Sequence, residues 1–215
     1  MRFLITALGL LIAVLAFGCA NPAANKPQAS VGKAAPDAGS PAPAGAETLV
    51  IAPENSKVEF VAAKVTRSHN GHFEQFTGSI DLAGSSADQS RVTIDIETGS
   101  VMTDEDQLTG HLKTADFFDV AKFPKATFVS TKIEPRRDKA DANTYDVTGN
   151  FDLHGIKKSI TFPANIQIGP DRVAVNAEFA INRKDFGIVY AGKADDLIRD
   201  GVVIRLTLNV PRKKS

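Results

Sequence analysis

The stretch Val173–Asn182, VAVNAEFAIN, sets Val173, Val175, Ala177, Phe179 and Ile181 against Ala174, Asn176, Glu178, Ala180 and Asn182 in strict alternation. Successive side chains of a strand point to opposite faces, so this run predicts a strand with one buried and one wet face. The same period recurs on both sides of it. Val202, Ile204, Leu206, Leu208 and Val210 repeat it towards the C-terminus, and Val92, Ile94 and Ile96 towards the N-terminus. Turn residues separate the runs, at Gly84-Ser85-Ser86, Asp138 to Asn143, His154-Gly155, Gly169-Pro170-Asp171 and Asp200-Gly201. Many strands of this kind need a sandwich or a closed barrel, and closure is the surest way to remove exposed edges. The predicted fold is all-β, an antiparallel barrel.

One segment breaks the pattern. From Thr103 to Pro124, TDEDQLTGHLKTADFFDVAKFP loses the alternation. Asp104, Glu105 and Asp106 suit the start of a helical turn, Leu108, Leu112, Ala115 and Phe118 recur at helical spacing, and Pro124 stops the run. A short helical excursion between strands is expected to plug or cover one end of the barrel.

The chain has 215 residues, with 25 basic and 25 acidic side chains. Charge so balanced sets up no global field for nucleic acid, which is excluded as a partner. Its first residues, MRFLITALGLLIAVLAFGCA, carry one arginine, an apolar run and then small residues. Residues 1–18 read as a secretory signal peptide, the run being short for a membrane span of about 20 apolar residues. A transmembrane anchor is the alternative. Cys19, the sole cysteine, has no partner for an internal disulfide. Leu15–Cys19 resembles a bacterial lipobox, which makes Cys19 a lipidation site and points to a periplasm-facing lipoprotein of the cell envelope. Ala20 after it suggests the outer membrane. Residues 19–47 are dominated by Ala, Pro, Gly, Ser and Asn, with too little apolar surface to offset ordering, and read as a disordered tether. Residues 48–215 are then the barrel domain.

The sequence shows no nucleophile elbow and no phosphate-binding glycine loop. His69 and His72 form an HxxH pair, which needs a further ligand such as Glu74 or Asp116 to hold a metal; no cofactor is implied. Thirteen phenylalanines stand against two tyrosines and no tryptophan, an interior with little polar handle. Phe73, Phe76, Phe117, Phe118, Phe123 and Phe128 are joined by Phe151, Phe162, Phe179 and Phe186 as candidates for a shared interior. Whether they fill it or line a cavity stays open at this point. Arg183 continues the odd-numbered apolar series past Ile181. Turned inward beside Asp185 it forms a buried ion pair or anchors a polar head group; turned outward it is a strand-end cation.

Taken together, SKVEF, GHFEQFTGSI, TGHLKTADFFDVAKFPKATF, YDVTGNFDLHGIKKSITFPA and INRKDFGIVYAGKADDLIRDGVVIRLTL resemble the YceI-like family of exported bacterial lipid-binding proteins. The resemblance spans roughly residues 52–211. It implies an extended, eight-stranded, lipocalin-like antiparallel barrel that takes a long isoprenoid or acyl chain without chemistry. On that footing Phe73, Phe76, His111, Leu112, Phe117, Phe118, Phe123, Phe151, Phe179, Arg183 and Phe186 are the candidate ligand-binding residues. Phe117 and Phe118, as neighbours, are expected to divide their roles, one at the cavity and one packed beneath. A homodimer is a further expectation. Two other readings stand beside this one. The first is a membrane-tethered protein-interaction module with a solid core. The second is a cofactor-free hydrolase or isomerase using His111 with Asp116 or Asp119.

Overall fold

The computed structural model describes residues 21–36, 42–136 and 143–212. The signal peptide over residues 1–18 and the lipidation at Cys19 lie outside the described residues, as do residues 138–142 of one expected turn. In chain order the elements are β1 (Ser30–Lys33), β2 (Glu47–Ile51), β3 (Ser56–Ala63), β4 (Ser68–Phe73), β5 (Phe76–Ala83), β6 (Ser86–Glu97), β7 (Val101–Thr103), α1 (Asp106–Leu112), β8 (Lys125–Pro135), β9 (Thr144–Leu153), β10 (Ile156–Ile168), β11 (Arg172–Asn182), β12 (Gly192–Lys193), β13 (Asp196–Leu197) and β14 (Gly201–Pro211). Short 3-10 turns cover Thr98–Ser100 and Arg183–Phe186.

Twelve of these strands make one antiparallel sheet, in the order β2-β5-β6-β8-β9-β10-β11-β14-β3-β4-β7 with β1 added beside β10. The count differs from the eight expected: β4 with β5 and β6 with β7 make two bent strands, and β1 and β2 are added to the eight staves that result. Between β4 and β5 only Glu74 and Gln75 intervene, and between β6 and β7 only the 3-10 turn. The two bent strands stay bonded across the bend through Glu74 N–H to Ser100 O and Glu97 N–H to Gln75 O. The β3–β4 and β6–β8 ladders on either side of this ribbon close the circle. Where β3 pairs with β4 rather than β5, β2 takes the vacant edge of β5, from Glu47 opposite Leu82 to Ile51 opposite Gly78. The hairpin between β9 and β10 turns on His154 and Gly155, both with positive φ (55° and 72°). That is the backbone of the tight turn which matches strand twist.

One expectation is overturned here. Residues 21–36, read as part of a disordered tether, are built into the wall. β10 and β11 pair only from Asn165 opposite Asn176 to Ile168 opposite Val173, then part. β1 fills the opening on the β10 side, with Ser30 opposite Thr161 and Lys33 opposite Lys158. On the other side Ala29 N–H donates to Ala180 O and Ala180 N–H to Pro27 O, both at 2.8 Å. Pro163 marks the point of parting. Ile166 donates its N–H towards β9, to Asn143 O at 2.8 Å, so odd-numbered residues of β10 present theirs to the seam. Pro163 has none to present.

The same segment explains why Ala180, on the face expected to be wet, is fully buried. Ala23 packs with Ala180, Val61 and Val203 in a small apolar cluster on the outside of the barrel. Lys26 bonds Glu178 at 2.6 Å, and Asn150 exchanges two hydrogen bonds with Ala35. Composition misled because the burial it draws on belongs to the barrel's outer face, not to the segment itself.

Candidate functional site

The barrel interior divides into two halves. Leu49, Ile51, Leu82, Val173 and Val210 fill one end, each nearly or fully inaccessible. In the other half, under the Thr103–Pro124 excursion, lies a cavity of about 150 Å3. It is entered by side chains from β3, β4, β6, β8, β9, β10, β11 and β14, and no polar surface faces it. Packed core and cavity are therefore both present, stacked along the barrel axis.

Two aromatic chains shape the walls. Phe60 meets Phe73 at a tilt, 5.8 Å between centroids, and Phe73 meets Phe118 edge to ring at 5.7 Å. Opposite, Phe128 leans on Phe162 at 5.6 Å, and Phe162 stacks on Phe179 at 4.1 Å and 11°. Phe60 stands over Gly71, its cross-strand partner, where a Cβ would overlap the ring. The glycine is what lets the ring lie flat against the wall.

The excursion caps this half. α1 realises the first part of the predicted helical run, with Asp106 in its first turn and Leu112 buried at its end, and stops short of Ala115 and Phe118. Beyond it the chain runs in tight turns to Pro124, held by Phe118 N–H to Leu112 O at 3.0 Å and Asp119 N–H to Thr114 O at 2.9 Å, with Asp119 at a φ of 46°. Phe117 and Phe118 thus sit in neither helix nor strand. Both border the cavity, against the expectation that only one would. A second capping segment, residues 183–200, contributes Ile188 and Ile198 and carries the small β12–β13 hairpin.

Of the candidate residues, Phe73, Leu112, Phe117, Phe118, Phe151, Phe179 and Arg183 border the cavity. Four do not. Phe76 is buried opposite Ile96 in the β5–β6 ladder. Phe186 is wholly buried behind Phe151, ring edge to face at 5.2 Å. Phe123 leans on His154 at 4.6 Å, outside the barrel mouth. His111 lies on the outer side of the lid, its ring against Phe117 and Tyr190. Sequence reasoning passed over Phe60, although Val58, Phe60 and Ala62 of β3 carry the same alternation and all three line the cavity.

Arg183 turns inward, as one reading had it, but its partner is not Asp185. Its Nη2 donates to Asp200 Oδ1 at 3.1 Å, its Nη1 to Ile188 O at 2.7 Å and its Nε to Arg199 O at 3.2 Å. Asp185 faces Lys158 instead, at 3.9 Å. Burial lowers the Arg183 pKa against the opposing pull of Asp200. The guanidinium is a clamp on both ends of the second capping segment, and only its aliphatic stem touches the cavity.

The histidines fall apart as a metal site. β4 puts His69 on the buried face and His72 on the exposed one, since positions three apart in a strand point oppositely. His69 Nδ1 is 2.8 Å from Asp104 Oδ1. Burial raises the Asp104 pKa, but the bonds from His69 and the Asn70 N–H outweigh it and hold the carboxyl below its usual range. Among the described residues no three His, Cys, Asp or Glu side chains stand grouped for an ion. His111 Nε2 does meet Asp116 Oδ2 at 2.8 Å, yet both side chains are on the solvent side of the lid, away from the cavity.

Residues 49–210 match the sequence profile of the YceI-like domain. A UPF0312 protein of Pseudomonas putida strain F1 is 34% identical over 125 residues, which cover 55% of this chain and 63% of the relative. The chain thus spans less than two thirds of the length of that curated relative. Among solved structures, the fold is similar to Burkholderia cenocepacia BcnA, with a TM-score of 0.63, 25% identity and coverage of 72% of this chain and 95% of that one. It is also similar to a polyisoprenoid binding domain from Saccharophagus degradans implicated in plant cell wall breakdown, with a TM-score of 0.62, 21% identity and coverage of 78% and 99%.

Proposed function

This chain belongs to the YceI-like family, and from that premise we propose that it carries or sequesters a long apolar molecule in its barrel, without catalysis. The ligand class is a polyisoprenoid, quinone precursor, fatty acid or fatty amide. The observation that carries the reading is a cavity lined by aromatic and aliphatic side chains, with Glu59 and Arg183 the exceptions, and with no polar surface turned towards it. Such a surface offers no acid, base or nucleophile, and it favours every methylene brought in from water by about 0.8 kcal/mol. A cavity of about 150 Å3 is the size that holds one benzene-like ring. One end of an isoprenoid or acyl chain fits it directly. A longer stretch enters by moving the two capping segments, which join the main sheet only near their ends. Lipidation at Cys19 holds the protein on the outer membrane, within reach of lipid-soluble ligands.

Native mass spectrometry of the purified protein, followed by solvent extraction, tests this. A co-purifying isoprenoid or acyl compound, displaced by added polyprenyl or fatty-acyl probes, is the expected result. A protein that carries no such compound and takes up none of the probes overturns the reading.

A further inference from the structure

We infer that the capped end of the barrel, from which the N-terminal segment also emerges, is a docking surface for a lipid bilayer. The inference deepens the proposed function and rests on its apolar ligand. Five large hydrophobic side chains are exposed among the described residues, and four of them, Val65, Ile156, Val189 and Leu197, lie at this one end. Val65 and Leu197 are bonded neighbours, Val65 N–H donating to Leu197 O at 3.0 Å. Ile156 touches the space beside Gly187, two residues before Val189. Grouped apolar exposure of this kind marks an interaction site, whereas single exposed residues do not.

Two further observations name the occupant. The exposed residues are chain neighbours of cavity residues: Val189 follows Ile188 and Leu197 precedes Ile198, and both isoleucines line the cavity. The second capping segment therefore turns apolar side chains both outward, at Val189 and Leu197, and into the cavity, at Ile188 and Ile198. The second is where the chain enters the fold. Ala23 sits against Gly201, at the start of β14, beside the same capping segment. Because residues 21–36 are bound to the wall, only a few residues separate the barrel's capped end from Cys19 and the apolar run before it. Each residue spans at most about 3.6 Å, so an anchor there holds this end, and not the opposite one, against the membrane.

Lys193 and Asp195 keep the hairpin tip polar and exposed, while pairing limits charge elsewhere at this end. Lys64 is paired with Asp196, Arg67 with Glu105 and Lys184 with Asp200. Contact is made by inserting Val65, Ile156, Val189 and Leu197, so it holds on neutral phosphatidylcholine and resists salt.

The chain contains no tryptophan, so a single introduced one reports its own surroundings. Val189→Trp and Glu134→Trp, the latter on an exposed site at the opposite end, are made in the full protein and reconstituted on phosphatidylcholine vesicles. The Val189→Trp emission is expected to be quenched several-fold by brominated lipid and shielded from aqueous iodide, with Glu134→Trp showing the reverse. Equal behaviour of the two, no vesicle association, or shielding of Val189→Trp without quenching by brominated lipid, which signals a protein contact, overturns the inference. Val65→Asp combined with Leu197→Asp is expected to slow ligand transfer to acceptor vesicles while leaving ligand affinity in solution unchanged. If lipid extraction finds a ligand but Val189→Trp stays in water, docking fails and the binding function stands. Quenching by brominated lipid without any extractable ligand or probe uptake means the reverse: the end docks and the binding function fails.

Discussion

Replacing Arg183 separates a loop clamp from a ligand contact. In Arg183→Met the aliphatic stem that borders the cavity is kept and the guanidinium is lost. A hydrogen bond from a charged donor contributes about 1.5 to 3 kcal/mol, and its loss leaves the acceptor to be resolvated. The bonds to Ile188 O at 2.7 Å and Arg199 O at 3.2 Å are the two that count in full. Asp200 is partly exposed and keeps Lys184 at 2.9 Å, so its share is that of a surface pair, below about 1 kcal/mol. The carbonyls belong to a surface segment that water can reach once it loosens, which takes the lower end of the range. The expected destabilisation is about 3 kcal/mol, or about 6 to 12 °C in Tm for a protein of this size. Urea unfolding measures it, and hydrogen exchange should show the loss concentrated in residues 187–199. Arg183→Lys is expected to recover little, because a single ammonium cannot span carbonyls on both ends of the segment. A Cm unchanged in Arg183→Met, together with a tenfold loss of ligand affinity, would refute the clamp and restore Arg183 as a head-group anchor.

Phe117→Ala removes a ring that borders the cavity and should weaken binding of a polyprenyl probe about fivefold, roughly 1 kcal/mol of lost apolar contact. Phe123→Ala, outside the cavity, should lower Tm while leaving that affinity within twofold, as read by fluorescence titration. His111→Ala is expected to leave affinity intact as well, since its ring lies on the outer side of the lid; a large loss would bring the outer face of the lid into the site. In Gly71→Ala the new methyl drives the Phe60 ring into the cavity, so stability should fall by about 1 to 3 kcal/mol and probe uptake with it. The N-terminal segment should respond to acid. Hydrogen bonds from Lys26 and then Arg205 hold the Glu178 pKa below its ordinary value of 4.5. A depressed carboxyl stabilises above its unfolded pKa and ceases to do so as pH falls through the folded one. Protection of residues 27–33 in hydrogen exchange should therefore drop as the pH falls below 4.5, and Glu178→Gln should remove that dependence.

Much of the molecule is legible in its residue pattern. The period-two runs of β6, β11 and β14, the turns between them and the helical excursion before Pro124 follow from local sterics and the side on which apolar groups fall, and a sequence displays both. Membership of the YceI-like family is equally a property of the order of residues, as HLKTADFFD and FDLHGIKK show. What the order of residues could not decide is which apolar groups meet space and which meet each other. Phe76, Phe186 and Phe151 look alike in the sequence, yet only Phe151 borders the cavity, because Phe76 is buried opposite Ile96 and the turn after β11 sets Phe186 behind Phe151. Arg183 was ambiguous for the same reason: the carbonyls it binds come from residues 188, 198 and 199, brought together by a loop. Most of all, residues 21–36 carry almost no apolar surface of their own, and their order comes from the seam that β10 and β11 leave open beside Pro163. A local pattern reports what a segment can bury by itself; only the tertiary structure supplies the surface that another segment offers to it.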